Sequence, residues 1–466
     1  MAAQTAPVVT PPLFSRQALV RLIIPLIIEQ LLLMTVGMAD TVMVTTAGEA
    51  AVSAVSLVDN INTLLIHVFA ALSTGGAVVV SQYLGRRDSE NANKAAKQLL
   101  YAAVLASTLM MIFALIFRVR ILTTIFGNIP ADVISPSLDY FTFTAMAYPF
   151  IAVYNAGAAL FRSIGNSRVS MFNSFIVNLV NIAVNAILIY GYGMGAAGAA
   201  IGTLVSRVVA TVIILILLQR RDNPLRIEGL FRPEFHGAML KRILTIGIPT
   251  GLENSLFQVG KLIVLSLVTT LGATELLRTA SIAANSIAGS VAGMVHVPGL
   301  AIGLAMVTVV GQCMGAQEPG QAAVYTKRLL ALSYLLVGTL SAVLFFVADP
   351  VISIFGLGTE ASALAGDVLR IFSVFSIIFW PPAFILPNSL RAAGDAVFTM
   401  GVSLFSMFAF RLGLSYVLAP AELFGIPMLG MGISGVWLAM CLDWIVRGLF
   451  FSVRFHRGTW KNIKII

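Results

Sequence analysis

The chain has 466 residues, 58% of them hydrophobic and only 11% charged. A water-soluble protein of this size cannot hide that much apolar surface, and the apolar runs reach the roughly 20 residues that carry a helix across a bilayer. Continuous runs instead of alternation exclude a β-barrel, and the net charge of +9 fits basic loops beside a membrane rather than a nucleic-acid partner.

The opening segment "MAAQTAPVVTPPLF" lacks the basic stretch of a cleaved signal peptide, so the first membrane helix is expected to act as its own targeting signal. Hydropathy predicts twelve spans, at roughly 18–44, 54–82, 95–117, 137–161, 168–190, 195–218, 240–270, 280–311, 325–347, 364–389, 397–419 and 428–452. The longest polar connection, Gln219 to Arg242, divides the chain into equal halves. The expected architecture is an all-α polytopic membrane protein: an N lobe (1–222), an inter-lobe loop (223–239) and a C lobe (240–466) of six helices each. With the N-terminus cytoplasmic, 21 of the 29 Lys and Arg fall on the cytoplasmic side. Arg118, Arg120, Arg278 and Arg370 fall opposite, and Arg207, Lys261, Arg411 and Arg447 lie inside spans. That asymmetry puts both termini in the cytoplasm of a multi-pass plasma-membrane protein and supports the even span count.

The halves resemble each other. "SQYLGRRDSENANKAAKQLL" after span 2 matches "GQCMGAQEPGQAAVYTKRLL" after span 8, pairing Gln82 and Gly85 with Gln312 and Gly315 at an offset of 230. "FRSIGNSRVSM" matches "LRAAGDAVFTM" at 229, and "IPLIIEQ" matches "IPTGLEN" at 224, pairing Pro25 and Glu29 with Pro249 and Glu253. Six spans is an even number, so the halves share one orientation, as in transporters built from parallel repeats with the substrate site between them.

Polar residues inside the spans are the candidate machinery. Glu29, with Gln30 beside it, and Glu253 each follow a proline by one helical turn, where the backbone ladder is weakened. They read either as conformational locks that pair with a cytoplasmic Arg or as contacts for substrate or coupling ion. Asp40 stands in "LLLMTVGMADTVMV", where a carboxylate at membrane depth costs roughly 2.5–3.5 kcal/mol and marks function. Asn178, Asn181 and Asn185 fall on one face of span 5. Gly195, Gly198 and Gly202 give span 6 a close-packing face, followed by Thr203. Asp40, Asn185 and Thr203 share one depth to within about a helical turn, and their oxygens suit a proton or a small hard cation. In the second half, Asp40 aligns with Val264, so the acid is not duplicated. Lys261 lies two turns beyond Glu253 and either neutralises a buried acid or repels cations. Asp443 and Arg447 are spaced to pair with each other. His67 and His296 read as satisfied hydrogen-bonders, and Cys313 and Cys441 as small buried residues without metal spacing. No phosphate-cradling loop, zinc motif or nucleophile constellation stands in the chain, so neither an enzyme nor an ATP-driven pump is expected.

The stretches "PLIIEQLLLMTVGMADTVMV", "SQYLGRRD", "LFRSIGNSRVSM", "GIPTGLENSLFQVGKL", "GQCMGAQE" and "SLRAAGDAVFTM", in this order over the whole chain, resemble the MATE family of multidrug and toxic compound extrusion transporters. The resemblance implies two lobes in a V, and export of organic cations and drugs in exchange for Na⁺ or H⁺. In the branch with an acid on span 1, the coupling ion sits in the N lobe. That acid matches Asp40, the asparagine and aspartate of span 5 match Asn181 and Asn185, and the span 6 threonine matches Thr203. Asn185 replaces the second acid, which leaves Asp40 as the titratable member and favours H⁺ over Na⁺. Another branch's glutamate, one turn past Glu253, is Phe257 here. No other cofactor is implied, and the partners are the bilayer and small molecules, with the chain acting as a monomer. The alternatives are a lipid-linked oligosaccharide flippase of the same wider superfamily, at whose basic cavity Lys261 and Arg411 would hint, and a channel.

Overall fold

The computed structural model describes residues 11–466 apart from 128, 221–222, 228, 230–233, 273 and 424–425. Among these, eleven helices are long and apolar enough to cross a membrane, and one bent pair completes twelve spans. Span 1 is Arg16–Thr45, span 2 Glu49–Gly85 and span 3 Ser89–Phe126. Span 4 is the pair Ala131–Met146 and Tyr148–Ser163. Span 5 is Ser167–Gly191, span 6 Gly195–Leu218, span 7 Gly237–Val268 and span 8 Glu275–Gly315. Span 9 is Pro319–Ser353, span 10 Thr359–Ala392, span 11 Ala396–Leu418 and span 12 Gly432–Arg457.

Spans 2, 3, 8, 9 and 10 overrun the hydropathy boundaries at both ends, whereas span 6 keeps them. Span 8 has 41 residues, about 60 Å at 1.5 Å per residue, against a hydrocarbon core of about 30 Å. Hydropathy marks only the apolar middle, while caps set the ends. Ser15, Asp88 and Thr274 accept from the backbone N–H three residues on and start spans 1, 3 and 8. The two segments of span 4 meet at 43°. Pro149 stands at the start of the second segment, where its missing N–H and ring break the ladder. Spans 1 and 7, by contrast, run through Pro25 and Pro249 as continuous helices. A short antiparallel ladder, with Glu422 opposite Pro427, joins spans 11 and 12.

The sequence repeat returns as repeated backbone geometry. Arg87 and Gln317, 230 apart, are both left-handed, at φ 61° and 60°. Asp88 N–H reaches back to Tyr83 O, and Glu318 N–H to Cys313 O, both at 2.9 Å. The turns after spans 4 and 10 repeat the device: Asn166 N–H bonds Phe161 O at 3.0 Å and Asp395 N–H bonds Leu390 O at 2.9 Å. All four are the back-reaching bond that closes a helix C-terminus.

Spans 1–6 pack on one another, spans 7–12 do likewise, and the two groups meet chiefly along spans 1 and 2 against spans 7 and 8. The meeting is tightest at the end of the molecule that carries Phe14 and Trp460, the proximal end. There a Cβ on Gly85 would fall on the carbonyl of Gln312, and one on Gly315 on the carbonyl of Gln82, so glycine is required at both. Gln82 donates to Ala392 O at 2.9 Å and Gln312 to Ser163 O at 2.7 Å, each side chain crossing into the opposite half. Ala392 and Ser163 are themselves repeat partners, 229 apart, so the seal is two-fold in its bonds as well as its shape. Leu13 and Phe14 reach across to Gln321 and Tyr325 of span 9. Toward the opposite, distal end a cavity of the second half reaches Asn60 of span 2.

Large apolar side chains stand exposed along the outer faces, including Ile116, Phe346 and Leu449, where lipid would cover them. Within the connection between the halves, Leu225 and Ile227 are buried and Ile227 N–H bonds Leu218 O at 3.2 Å. The lobe boundary expected at 222, and Arg221 and Arg232 of the charge tally, lie outside the described residues, as does the segment before Pro11.

Candidate functional site

Three helices bring the distal polar residues of the first half together. Span 5 loses its α-helical pitch right after Asn185, in the π-helical turn Ala186–Gly191. Such turns often mark functional positions. Asn185 donates to Asp40 Oδ1 at 2.6 Å and lies 3.4 Å from Asn181 Oδ1, while Asn181 Nδ2 reaches Thr203 Oγ1 at 3.5 Å. Asp40, Asn185 and Thr203, placed at one depth by the sequence, thus join with Asn181 in one connected cluster. Gly202 makes room for it, since a Cβ there would collide with Asn185 Oδ1. That oxygen is buried without a hydrogen-bond partner. Asn178 lies deeper and donates to Leu32 O at 2.8 Å, which fastens span 5 to span 1.

A second acid joins this region. Asp59 of span 2 accepts from Tyr140 at 3.0 Å and from Asn62 at 3.3 Å, and Asn62 in turn accepts from Tyr148 at 2.8 Å. Asp59 and Thr41, the residue after Asp40, line one cavity of about 320 Å³.

Near the proximal end each half holds a buried ion pair. Glu29 accepts from Arg162 at 3.2 Å and from Ser170 at 2.6 Å. Glu253 accepts from Arg391 and Ser403, both at 2.6 Å, with Arg447 at 3.6 Å. Arg162 and Arg391 are repeat partners, as are the two glutamates. The serines break the symmetry, because Ser170 aligns with Thr399 and Ser403 is one turn further on. Both glutamates are buried, and Gln30 is half-buried next to Glu29.

A distal cavity of about 510 Å³ lies mainly in the second half and reaches Asn60 of span 2. Trp380, Trp437, Trp444, Phe257, Phe372 and Phe384 line it, and Lys261 and Arg411 give it charge. Arg411 emerges from a second π-helical segment, Ser406–Leu412. His296 stacks on Trp380 with centroids 4.0 Å apart and bonds Ser376 at 3.0 Å, which satisfies its ring.

The family model MatE matches residues 25–187 and again 249–417, one copy in each half. The chain belongs to the MatE family. It is similar to the probable multidrug resistance protein NorM of Thermotoga maritima, 25% identical over 97% of this chain and 94% of that one. Its fold is that of a MATE crystallised in complex with MaL6, with TM-score 0.86 and 22% identity over 95% and 96% of the two chains. A MOP-superfamily transporter from Pyrococcus furiosus, described as having a binding pocket of reverse polarity that suggests a different function, also aligns at TM-score 0.86. There the identity is 20%, over 96% of this chain and 97% of that one. The chain is thus a membrane transporter of the MATE multidrug efflux family and not an enzyme.

Two parts of this MATE site differ from what the sequence suggests. Asp443 and Arg447 do not pair with each other. Ser406 donates to Asp443 Oδ1, with Arg411 at 4.0 Å from the other oxygen, while Arg447 turns to Glu253. One helical turn brings two side chains near, but a buried charge takes the partner that best replaces water, and both better partners are on other spans. Asp59 is the residue that sequence reasoning passed over. It falls inside the expected span 2, in the run Asp59-Asn60-Ile61-Asn62, and an acid within a membrane span was the available signal. Cys313 and Cys441 are free and buried.

Proposed function

We propose that this MATE chain exports drug-like compounds by alternating access, in exchange for protons taken up at Asp40. The contact that carries this reading is Asn185 to Asp40. Where the family resemblance puts a second acid, this chain aims an N–H at the first one, 2.6 Å away. A Na⁺ cage needs converging oxygens, and an amide N–H fills that seat with a donor. The charge-assisted bond weakens when Asp40 takes a proton. It also fastens the distal part of span 1, beyond the Asn178 bond to Leu32, where Met38 and Val42 are exposed. The proximal half stays held through Glu29 and through Asn178. Protonation therefore frees one half of span 1 and leaves the other anchored, which supports coupling ion binding to a change of shape. Na⁺ is the second reading, supported by the oxygens of Asn181 and Thr203 beside Asp40.

Glu29 and Glu253 act as locks in this reading: Glu29 gives one oxygen to Arg162 and the other to Ser170, and Glu253 Oε1 takes both Arg391 and Ser403. The two halves, 1–222 and 240–466 joined by 223–239, move as lobes within a monomer. The Lys and Arg asymmetry supports a cytoplasmic proximal end in the plasma membrane. On that orientation, the proximal closure at Gly85, Gly315, Gln82 and Gln312 and the distal place of the aromatic cavity support an outward-facing state. The acids Asp40 and Asp59 support the expectation of organic-cation substrates, though the larger cavity carries the opposite charge.

Ethidium transport in proteoliposomes, under a pH gradient at equal Na⁺ and then a Na⁺ gradient at equal pH, tests the proposal. Ethidium should move against its own gradient with the first and not with the second. Movement driven by Na⁺ alone would overturn proton coupling, and movement only down the ethidium gradient would mark a channel.

A further inference from the structure

The charges inside the second half do not balance. Four cations occupy the interior of the second half: Lys261, Arg391, Arg411 and Arg447. They face two acids, Glu253 and Asp443. Glu253 is shared by Arg391 and Arg447, and Asp443 lies near Arg411. Among the described residues no carboxylate lies within 4.0 Å of Lys261, which lines the cavity and is exposed into it. Three of the cations converge on a single ring. The Phe257 centroid lies 5.5 Å from Lys261 Nζ and 5.1 Å from the guanidinium carbons of both Arg411 and Arg447. Cations gathered around one ring repel each other, and a ring quadrupole offsets only part of that. An anion in the cavity would supply the missing charge.

The wall chooses among anions. Six aromatic rings line the space, and about 510 Å³ is the size of a small-molecule site with a few fixed polar groups. A bare phosphate would leave those rings unused, whereas a planar aromatic body can stack on them with its acidic group against Lys261 and Arg411. A cation of the same shape would meet like charge.

We propose that the cavity lined by Lys261, Arg411 and the aromatic rings of the second half binds aromatic anions, with a carboxylate or sulfonate seated between the two cations. This deepens the exporter reading by naming a substrate class that the first half's acids alone would not suggest. Asn60 lines both the basic cavity and the cavity of Asp59, so a basic wall and an acidic one lie beside the same residue of span 2.

The test is equilibrium binding by calorimetry to the full chain in detergent, corrected with protein-free micelles. Naphthalene-2-sulfonate is compared with 2-naphthyltrimethylammonium, the same ring system with opposite charge. The sulfonate should bind at least about tenfold more tightly. Lys261→Gln should weaken the sulfonate about tenfold and leave the ammonium unchanged, and Lys261→Arg should restore it. Because Lys261 has no carboxylate to orphan, these changes leave the buried pairs intact, and an unchanged melting temperature confirms folding. Inorganic pyrophosphate should not displace the sulfonate. Equal or tighter ammonium binding, a Lys261→Gln variant with unaltered sulfonate affinity, or displacement by pyrophosphate would each overturn the proposal. No ion gradient is present, so failure here leaves proton coupling standing, and failure of coupling leaves this result standing.

Discussion

Asp40→Asn should abolish the ability of a pH gradient to concentrate substrate while leaving the protein folded. One pH unit is worth about 1.4 kcal/mol per proton, or a factor of ten in concentration. An exchanger that takes up one proton per cycle should therefore hold about a tenfold substrate gradient for each unit imposed. The variant should hold none and should still equilibrate substrate across the membrane. The asparagine oxygen can accept the bond that Asn185 now gives to Asp40, so the contact survives and only the titration is lost. The measurement is steady-state accumulation in proteoliposomes at several imposed pH differences. A variant that keeps the wild-type slope would show that the coupling proton binds elsewhere, and Asp59 would be the next acid to replace.

Glu253→Ala should be the most destabilising single change at the buried pairs. It leaves Arg391 and Arg447 without their carboxylate, with side chains only 11% and 4% exposed. Removing one partner of a buried pair typically costs about 3–5 kcal/mol, because the charge left behind has no water. Glu29→Ala strands only Arg162, which is 16% exposed, and should cost less. In detergent, the apparent melting temperature of Glu253→Ala should fall by on the order of 10 °C, and Glu29→Ala by clearly less. Glu253→Gln keeps an oxygen for Ser403 and Arg391 and should sit between. The reverse order would mean that the two locks do not differ in the way their partner counts imply.

Much of the fold was legible because it is written twice. Twelve spans follow from hydropathy, and matching turns at 82–88 and 312–318 follow from a repeat that survives in the same backbone bonds and the same left-handed residues. What hydropathy could not give is where each helix stops, since caps and not apolar residues decide that, and why span 4 bends at Tyr148-Pro149. The Asp40 cluster was legible from depth alone: three spans of known direction put Asp40, Asn185 and Thr203 at one level, and Asn181 follows one turn from Asn185. Depth carries no azimuth, so the inward turn of these side chains and the place of Asp59 needed the packed helices. The second half misled in the opposite way. Spacing along span 12 joined Asp443 to Arg447, but the π-helical segment of span 11 rotates Arg411 and Ser406 toward Asp443, and no simple periodicity announces such a segment. Lys261 was visible as a costly charge, and its meaning depended on learning that no acid stands beside it.

The central claim is that substrate and proton compete through Asp40. Binding linkage makes the test direct, because a ligand that lowers proton affinity must expel protons when it binds. Purified protein in weakly buffered detergent solution with a pH dye, titrated with a probe that the gradient assay shows to be exported, should release about one proton per molecule bound. Asp40→Asn should bind and release none. Equal release from both proteins, or none from either with release of bound Na⁺ instead, would contradict the account.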